Sequence, residues 1–99
     1  MRSIKRYVHL IEEELESAKD YGESYLEAKA KGNMPLANRF REMSNDELKH
    51  ANYLHEAAVA EISELRKIYK PPVEMEKKWE EAHAQYAEEA AIIKQMLTL

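Results

Sequence analysis

The chain has 99 residues, of which 34% are charged and 44% hydrophobic, with only two glycines and three prolines. This composition is typical of one helical domain and excludes a disordered chain. A net charge of −4 without a basic run argues against a nucleic-acid partner, and the lack of cysteine excludes disulfides, cysteine-ligated zinc and iron–sulfur clusters.

The sequence contains no apolar run of about 18 residues, so we expect no membrane-spanning segment and no membrane partner. Its first residues, MRSIKRYVHLIEEE, turn acidic before the apolar core of a signal peptide could form. We therefore expect a cytoplasmic protein.

Two groups of turn-forming residues divide the chain into three predicted helices. KGNMP at 31–35 ends the first helix, and Pro35 suits the first turn of the second. KPP at 70–72 ends the second helix, because the residue before a proline avoids the α-helical region. The prediction is an all-α single domain over 1–99, with helix 1 at about 3–30, helix 2 at about 35–69 and helix 3 at about 73–97.

The predicted length of helix 2 bears on assembly. About 35 residues make a helix about 52 Å long, whereas a compact domain of this size has a radius of gyration of about 13 Å. Helix 2 should therefore extend beyond a monomeric core, and we expect a homodimer or a larger homo-oligomer to cover it.

Both long helices carry apolar stripes at helical spacing, and charged residues interrupt the stripes near their middle. In helix 2 the stripe contains Glu47 and His50 and consists of Leu36, Phe40, Met43, Glu47, His50, Leu54 and Ala57. In helix 1 one stripe contains Glu14 and consists of Ile4, Tyr7, Ile11, Glu14, Ala18, Tyr21, Tyr25 and Ala28. An adjacent stripe in helix 1 is equally regular, leaves Glu14 at its edge and consists of Val8, Ile11, Leu15, Ala18, Gly22 and Tyr25.

These interruptions have the residue types of half a di-metal site. A buried carboxylate must be neutral, paired or bound to a cation. In four-helix di-metal proteins, two helices each give one Glu and two helices each give Glu-x-x-His. Glu14, together with Glu47 and His50, provides one of each, and a two-fold dimer would supply the other half. Carboxylate and imidazole donors without thiolate suit Fe, Mn or Zn.

Two motifs carry a resemblance to the ferritin-like di-iron family: EELESAKDY at 13–21 and NDELKH at 45–50, with 33 residues between Glu14 and Glu47. A chain with a single such hairpin looks most like the encapsulated ferritins. The resemblance implies an antiparallel helical hairpin plus a C-terminal helix, forming a four-helix bundle by dimerisation. It also implies that Glu14, Glu47 and His50 are metal ligands and catalytic residues.

The same resemblance implies a function. It indicates a ferroxidase centre with two Fe per dimer interface, which oxidises Fe²⁺ with O₂ or peroxide in iron storage or detoxification; Mn or Zn are alternative metals. Glu13 and Glu16 match acidic residues that attract incoming iron, and Tyr21 matches a tyrosine behind the ligands. A protein shell is a further partner of that family, although the C-terminus IIKQMLTL does not match a shell-targeting tail.

Each of these residues also has a simpler interpretation. The Glu/His layer could belong to a non-catalytic helical assembly module in which it only sets the register of the helices. Asp46 either holds a ring N–H of a ligating histidine or is solvated. Tyr21 either hydrogen-bonds a ligand carboxylate or packs as an aromatic ring. Glu13 and Glu16 could be ordinary surface residues.

Helix 3 carries a second Glu-x-x-His pair, Glu80 and His83. Counting helical rise from the turn near residue 71 places this pair roughly 17–20 Å from the level of Glu47 and His50. We therefore expect that helix 3 does not complete the site within one chain. His9, His55 and His83 are expected to be surface or packing histidines.

Overall fold

The structure, a computed structural model, describes residues 2–99. It consists of three α-helices, α1 (Arg2–Ala30), α2 (Met34–Ile68) and α3 (Val73–Met96), and no β-strand occurs within 2–99. The all-α prediction is confirmed, and each helix boundary lies within one residue of the predicted one.

The residues at the two turns explain where the helices begin and end. Gly32 has a φ of +76°, a left-handed conformation that ends α1 at little steric cost. The side chain of Asn33 then accepts a hydrogen bond from the backbone N–H of Leu36 and caps α2. At the far end of α2, Tyr69 is extended and two prolines follow, so the helix cannot continue.

Helices α1 and α2 form an antiparallel hairpin with small residues along its seam. Ala18, Ala37, Ala51 and Ala58 have no exposed surface, so the two backbones approach closely. Inside this seam the Ser44 hydroxyl donates to the backbone carbonyl of Ala18 at 2.7 Å, which fixes the level at which the helices meet.

The stripe that α1 buries is the second of the two predicted alternatives. Its buried residues are Ile4, Ile11, Leu15, Ala18, Gly22, Tyr25 and Ala28. Glu14 therefore lies at the edge of the packed surface, where it is only partly buried.

The stripe that α2 buries within the chain is shifted from the stripe of large side chains seen in the sequence. Its buried residues are Ala37, Ser44, Leu48, Ala51, Ala58 and Ile62. Leu36 and Met43, from the predicted stripe, are 41% and 40% exposed. The physical reason is that Ala and Ser allow a closer approach of the two helices than Leu, Phe and Met do.

Helix α3 folds back along one flank of the hairpin. Trp79 packs on Ile4 and Ile62, while the far end of α3 joins the main core through Ala90 and Ile93, together with Leu97 just after the helix. Gly22 has a packing role there, because an added Cβ would lie 2.8 Å from the sulfur of Met96. Helix α1 is continuous through Gly22.

The molecule is elongated, measuring 55 × 17 × 17 Å with a radius of gyration of 16.1 Å. This exceeds the value of about 13 Å for a compact domain of this length. At the end of α2, Ile68 is 79% exposed. Across the described residues, none of the helices is apolar and long enough to cross a membrane.

Two isoleucines in the last turns of α2 provide a matched test of this packing. Ile62 is 1% exposed beneath Trp79, so Ile62→Ala should lower the free energy of unfolding by about 2–5 kcal/mol. Ile68→Ala, at an exposed position, should change it by less than about 0.5 kcal/mol. Urea denaturation followed by circular dichroism measures both, and equal effects would contradict the packing described.

Candidate metal centre

The antiparallel hairpin brings Glu14 of α1 beside Glu47 and His50 of α2. His50 Nδ1 lies 3.5 Å from Glu14 Oε2 and 3.6 Å from Glu47 Oε1. The three donor atoms all lie within 4.8 Å of one another. Two metal–ligand bonds of about 2.0–2.2 Å each span at most about 4.4 Å, so the separations of His50 from the two carboxylates fit one cation, and a small carboxylate rotation would bring in all three donors.

The carboxylates of this cluster are largely removed from water. The side chains of Glu14 and Glu47 are 28% and 24% exposed, while that of His50 is 54% exposed. Glu14 Oε2 is buried, and apart from its 3.5 Å contact with His50 Nδ1 no hydrogen bond of good geometry reaches this oxygen. A buried carboxylate oxygen without a partner is costly, and a bound cation would satisfy it.

The electrostatic environment of Glu47 also favours a bound cation. A hydrogen bond with Glu14, burial and the charge of Glu14 raise the pKa of Glu47, and Asp46 adds to the increase, whereas His50 opposes it. Two carboxyl groups in close contact resist simultaneous ionisation unless a positive charge lies between them. The donor set of two carboxylates and one imidazole suits Fe, Mn or Zn.

The cluster lies on the flank of the hairpin opposite to α3. Helix α3 makes its polar contacts to α2 through Asn52, His55 and Arg66, which lie on the other flank of α2. The carboxylate flank carries the partly exposed Leu36 and Met43. Among residues 2–99 the outer side of the cluster remains open at His50, which is 54% exposed, so a bound ion would have coordination positions left for further ligands.

Within residues 2–99 neither Tyr21 nor Asp46 hydrogen-bonds a ligand of the cluster, and Tyr21 lies about two helical turns from Glu14 along α1. The ring of Tyr21 stacks on Phe40, with centroids 6.4 Å apart. Asp46 is exposed and acts on Glu47 through its charge. Their supporting roles stay predictions.

Glu13 and Glu16 are exposed and are not brought to the cluster. Glu13 forms an ion pair with His9 at 2.9 Å. Glu16 lines the groove between α1 and α3, on the flank away from Glu14. A role in attracting iron therefore rests on sequence resemblance alone.

The second Glu-x-x-His pair remains apart from the cluster, because His83 meets His55 instead. The nitrogens His55 Nε2 and His83 Nδ1 are 2.6 Å apart. Burial and the charge of His83 lower the pKa of His55. The sequence interpretation missed this contact. His55 lies 15 residues before the KPP turn and His83 lies 11 residues after it, so counting helical rise places them only within about one turn of each other.

Comparison with known proteins adds no family assignment. No model of a protein family, no curated protein and no solved structure matches this chain. The function must therefore be inferred from the chemistry of the site.

The raised pKa of Glu47 predicts a pH-dependent effect of Glu47→Gln on the metal-free protein. A carboxyl whose pKa is raised by folding stabilises the fold while it is protonated, and this contribution is lost as the pH rises through its folded pKa. Glu47→Gln should therefore melt higher than the native protein at pH 7, and the difference should shrink towards pH 4.5. Melting curves across this range, in the presence of a chelator, measure it.

Glu13→Gln is the matched control for this measurement, because Glu13 is exposed and lies outside the cluster. It should show no gain at pH 7. A Glu47→Gln protein that melts lower than the native one at pH 7 would contradict the repulsion between Glu14 and Glu47.

Proposed function

We propose that this protein is a ferritin-like ferroxidase whose di-iron centre forms between two copies of the chain. The observation that carries the proposal is the convergence of Glu14, Glu47 and His50, in which Glu14 Oε2 is buried and has no hydrogen-bond partner. The proposal also draws on the two sequence motifs that resemble the ferritin-like di-iron family.

The need for a second copy follows from the number of donors. Three protein ligands hold one ion, whereas a di-metal site of this type uses four Glu and two His. The described part of the chain contains no other group of three metal-binding side chains. A two-fold axis beside the open flank would bring a second Glu14, Glu47 and His50 opposite the first, and the apolar Leu36 and Met43 would be covered in the same interface.

The chemistry assigned to this centre is electron transfer from Fe²⁺, the substrate. Two Fe²⁺ each lose one electron, and one O₂ takes up both electrons and two protons to give H₂O₂; with peroxide as the oxidant, the product is water. The carboxylates of Glu14 and Glu47 favour Fe³⁺ because their negative charge stabilises the higher oxidation state. His50 supplies a neutral nitrogen donor. Mn and Zn fit the same donors.

The proposed physiological role is the handling of cellular iron. Oxidation at this centre would serve iron storage or detoxification in the cytoplasm. A protein shell around the dimer is a further partner to test, by co-purification with shell proteins from the native source.

The ligand assignment predicts different effects for two histidines. His50→Ala should abolish Fe²⁺ oxidation because it removes the only imidazole of the cluster, while His9→Ala, at an exposed position, should leave the rate unchanged. Absorbance of Fe³⁺ in anaerobically prepared protein mixed with O₂ measures the rate, and circular dichroism checks that helix content is retained. Equal rates for native and His50→Ala protein would exclude this site.

Assembly is tested in the same samples. Sizing with and without Fe²⁺ or Zn²⁺ should show metal-promoted dimers for the native chain and fewer dimers for His50→Ala. A metal-loaded chain that stays monomeric would end the interface model.

The triple change of Glu14, Glu47 and His50 to Leu separates a metal centre from a layer that only sets register. In a metal centre without its metal, carboxylates that lie close together repel one another and destabilise the fold. Replacing buried charge by apolar groups is often neutral or stabilising by about 1–4 kcal/mol. The metal-free triple variant should then melt higher than the native protein, and added Fe²⁺ should stabilise only the native protein. Thermal melts with and without Fe²⁺ measure both effects.

The register hypothesis predicts the opposite pattern for this variant. A layer that excludes wrong pairings would leave the Leu variant as mixed or larger oligomers, and metal would affect neither protein. Native protein whose melting temperature does not respond to saturating metal would refute the ferroxidase proposal.

A further inference from the structure

The rings of His55 and His83 meet nitrogen to nitrogen across the contact between α2 and α3. Their nitrogens are 2.6 Å apart, their centroids 4.8 Å apart, and their planes differ by 24°. The difference between the two distances is about twice the distance from an imidazole nitrogen to its ring centre. The rings are therefore arranged edge to edge, with the two nitrogens directed at each other.

Neighbouring aromatic rings hold His55 in this orientation. Tyr86 lies 4.5 Å from the His55 ring and Trp79 lies 5.6 Å from it, both nearly parallel to it. The hydroxyl of Tyr86 donates to Asn52 Oδ1 at 3.3 Å and fixes Tyr86 in turn. His55 is partly buried and constrained, whereas His83 is exposed and can adjust its ring.

Two facing imidazole nitrogens require a positive centre or a proton between them. A single N–H can fill the gap, and so can a transition metal, for which neutral imidazole is the commonest protein ligand. Bonds of about 2.0–2.1 Å at angles between right and tetrahedral place two such nitrogens roughly 2.9–3.4 Å apart. A small rotation of the exposed His83 ring provides that opening.

Within residues 2–99 no carboxylate converges with the two histidine nitrogens, so further donors would be water or a nearby carboxylate that changes rotamer. Glu56 follows His55 directly and acts on it through its charge. Glu80 precedes His83 by one helical turn, and Glu12 of α1 lines the same cavity as His55. Water can fill the remaining positions at this surface.

We propose that His55 and His83 form a second metal site, which binds Cu²⁺, Ni²⁺ or Zn²⁺ and links α3 to α2. An imidazole pair favours these ions, with Cu²⁺ bound most tightly, because affinities for divalent metals rise from Mn²⁺ to Cu²⁺. The carboxylate-rich cluster of Glu14, Glu47 and His50 has a different donor set on the opposite flank. The second site does not depend on the ferroxidase proposal.

Such a link would act at a weakly joined part of the fold. Among the described residues, the other polar contacts between α2 and α3 are the Tyr86–Asn52 hydrogen bond and the ion pair of Arg66 with Glu76, both at partly exposed positions. Because metal binds the folded pair and not the separated helices, it should stabilise the docked position of α3.

Trp79, the only tryptophan of the chain, is a reporter beside this pair, at 5.6 Å from His55 and 6.1 Å from His83. The test uses the full chain with Glu47→Gln and His50→Ala, so that the first cluster cannot compete. Titration with Cu²⁺ should quench Trp79 fluorescence and saturate at one Cu²⁺ per chain. Zn²⁺ should raise the melting temperature of the same protein.

Adding His83→Ala should abolish the saturable quenching and the Zn²⁺ effect, while adding His9→Ala should leave both intact. Because His83 is exposed, its removal should not unfold the chain, and circular dichroism verifies this. His55→Gln provides a second variant with the same expected loss. If quenching persists in both variants, the metal binds elsewhere. If the parent protein shows no saturable binding, His55 and His83 form only a hydrogen-bonded pair. Either result overturns the proposal.

Discussion

The close approach of α1 and α2 through small side chains is the constraint on which the rest of the structure depends. Alanines without exposed surface line this seam, and the hydroxyl of Ser44 bonds the carbonyl of Ala18 within it. Such a contact tolerates little sliding, because a shift of one turn would put large side chains where only Ala and Ser fit. The level of the two helices is thereby fixed, and with it the meeting of Glu14 with Glu47 and His50.

This seam also decides what remains unburied. Since Ala and Ser of α2 occupy the contact with α1, the larger residues Leu36 and Met43 remain partly exposed on the flank that carries the carboxylates. That flank combines apolar surface with two carboxyl groups in close contact, a combination that is unfavourable in an isolated chain. A cation between the carboxyl groups and a second copy over the apolar surface would relieve both costs, and this is why metal binding and assembly are proposed together.

The two flanks of the hairpin have different chemistry because α3 covers only one of them. Under α3 the pairing groups are aromatic rings and two histidines, with His55 held between Trp79 and Tyr86. On the open flank the groups are carboxylates and His50. Nitrogen donors on one side and mainly oxygen donors on the other would select different metals, so the two proposed sites can be loaded and tested separately.

The sequence by itself determined the three helices, because Gly32, Asn33 and the prolines mark where the backbone cannot remain helical. It also indicated that Glu14, Glu47 and His50 belong together, since they interrupt the apolar stripes of two helices and have the residue types of half a di-metal site. Only the tertiary structure decided which stripe each helix buries, because large side chains dominate a sequence pattern while small ones allow the closest helix contact. It likewise decided that His83 meets His55, since this contact depends on how α3 packs against the hairpin, which periodicity along a single helix does not encode.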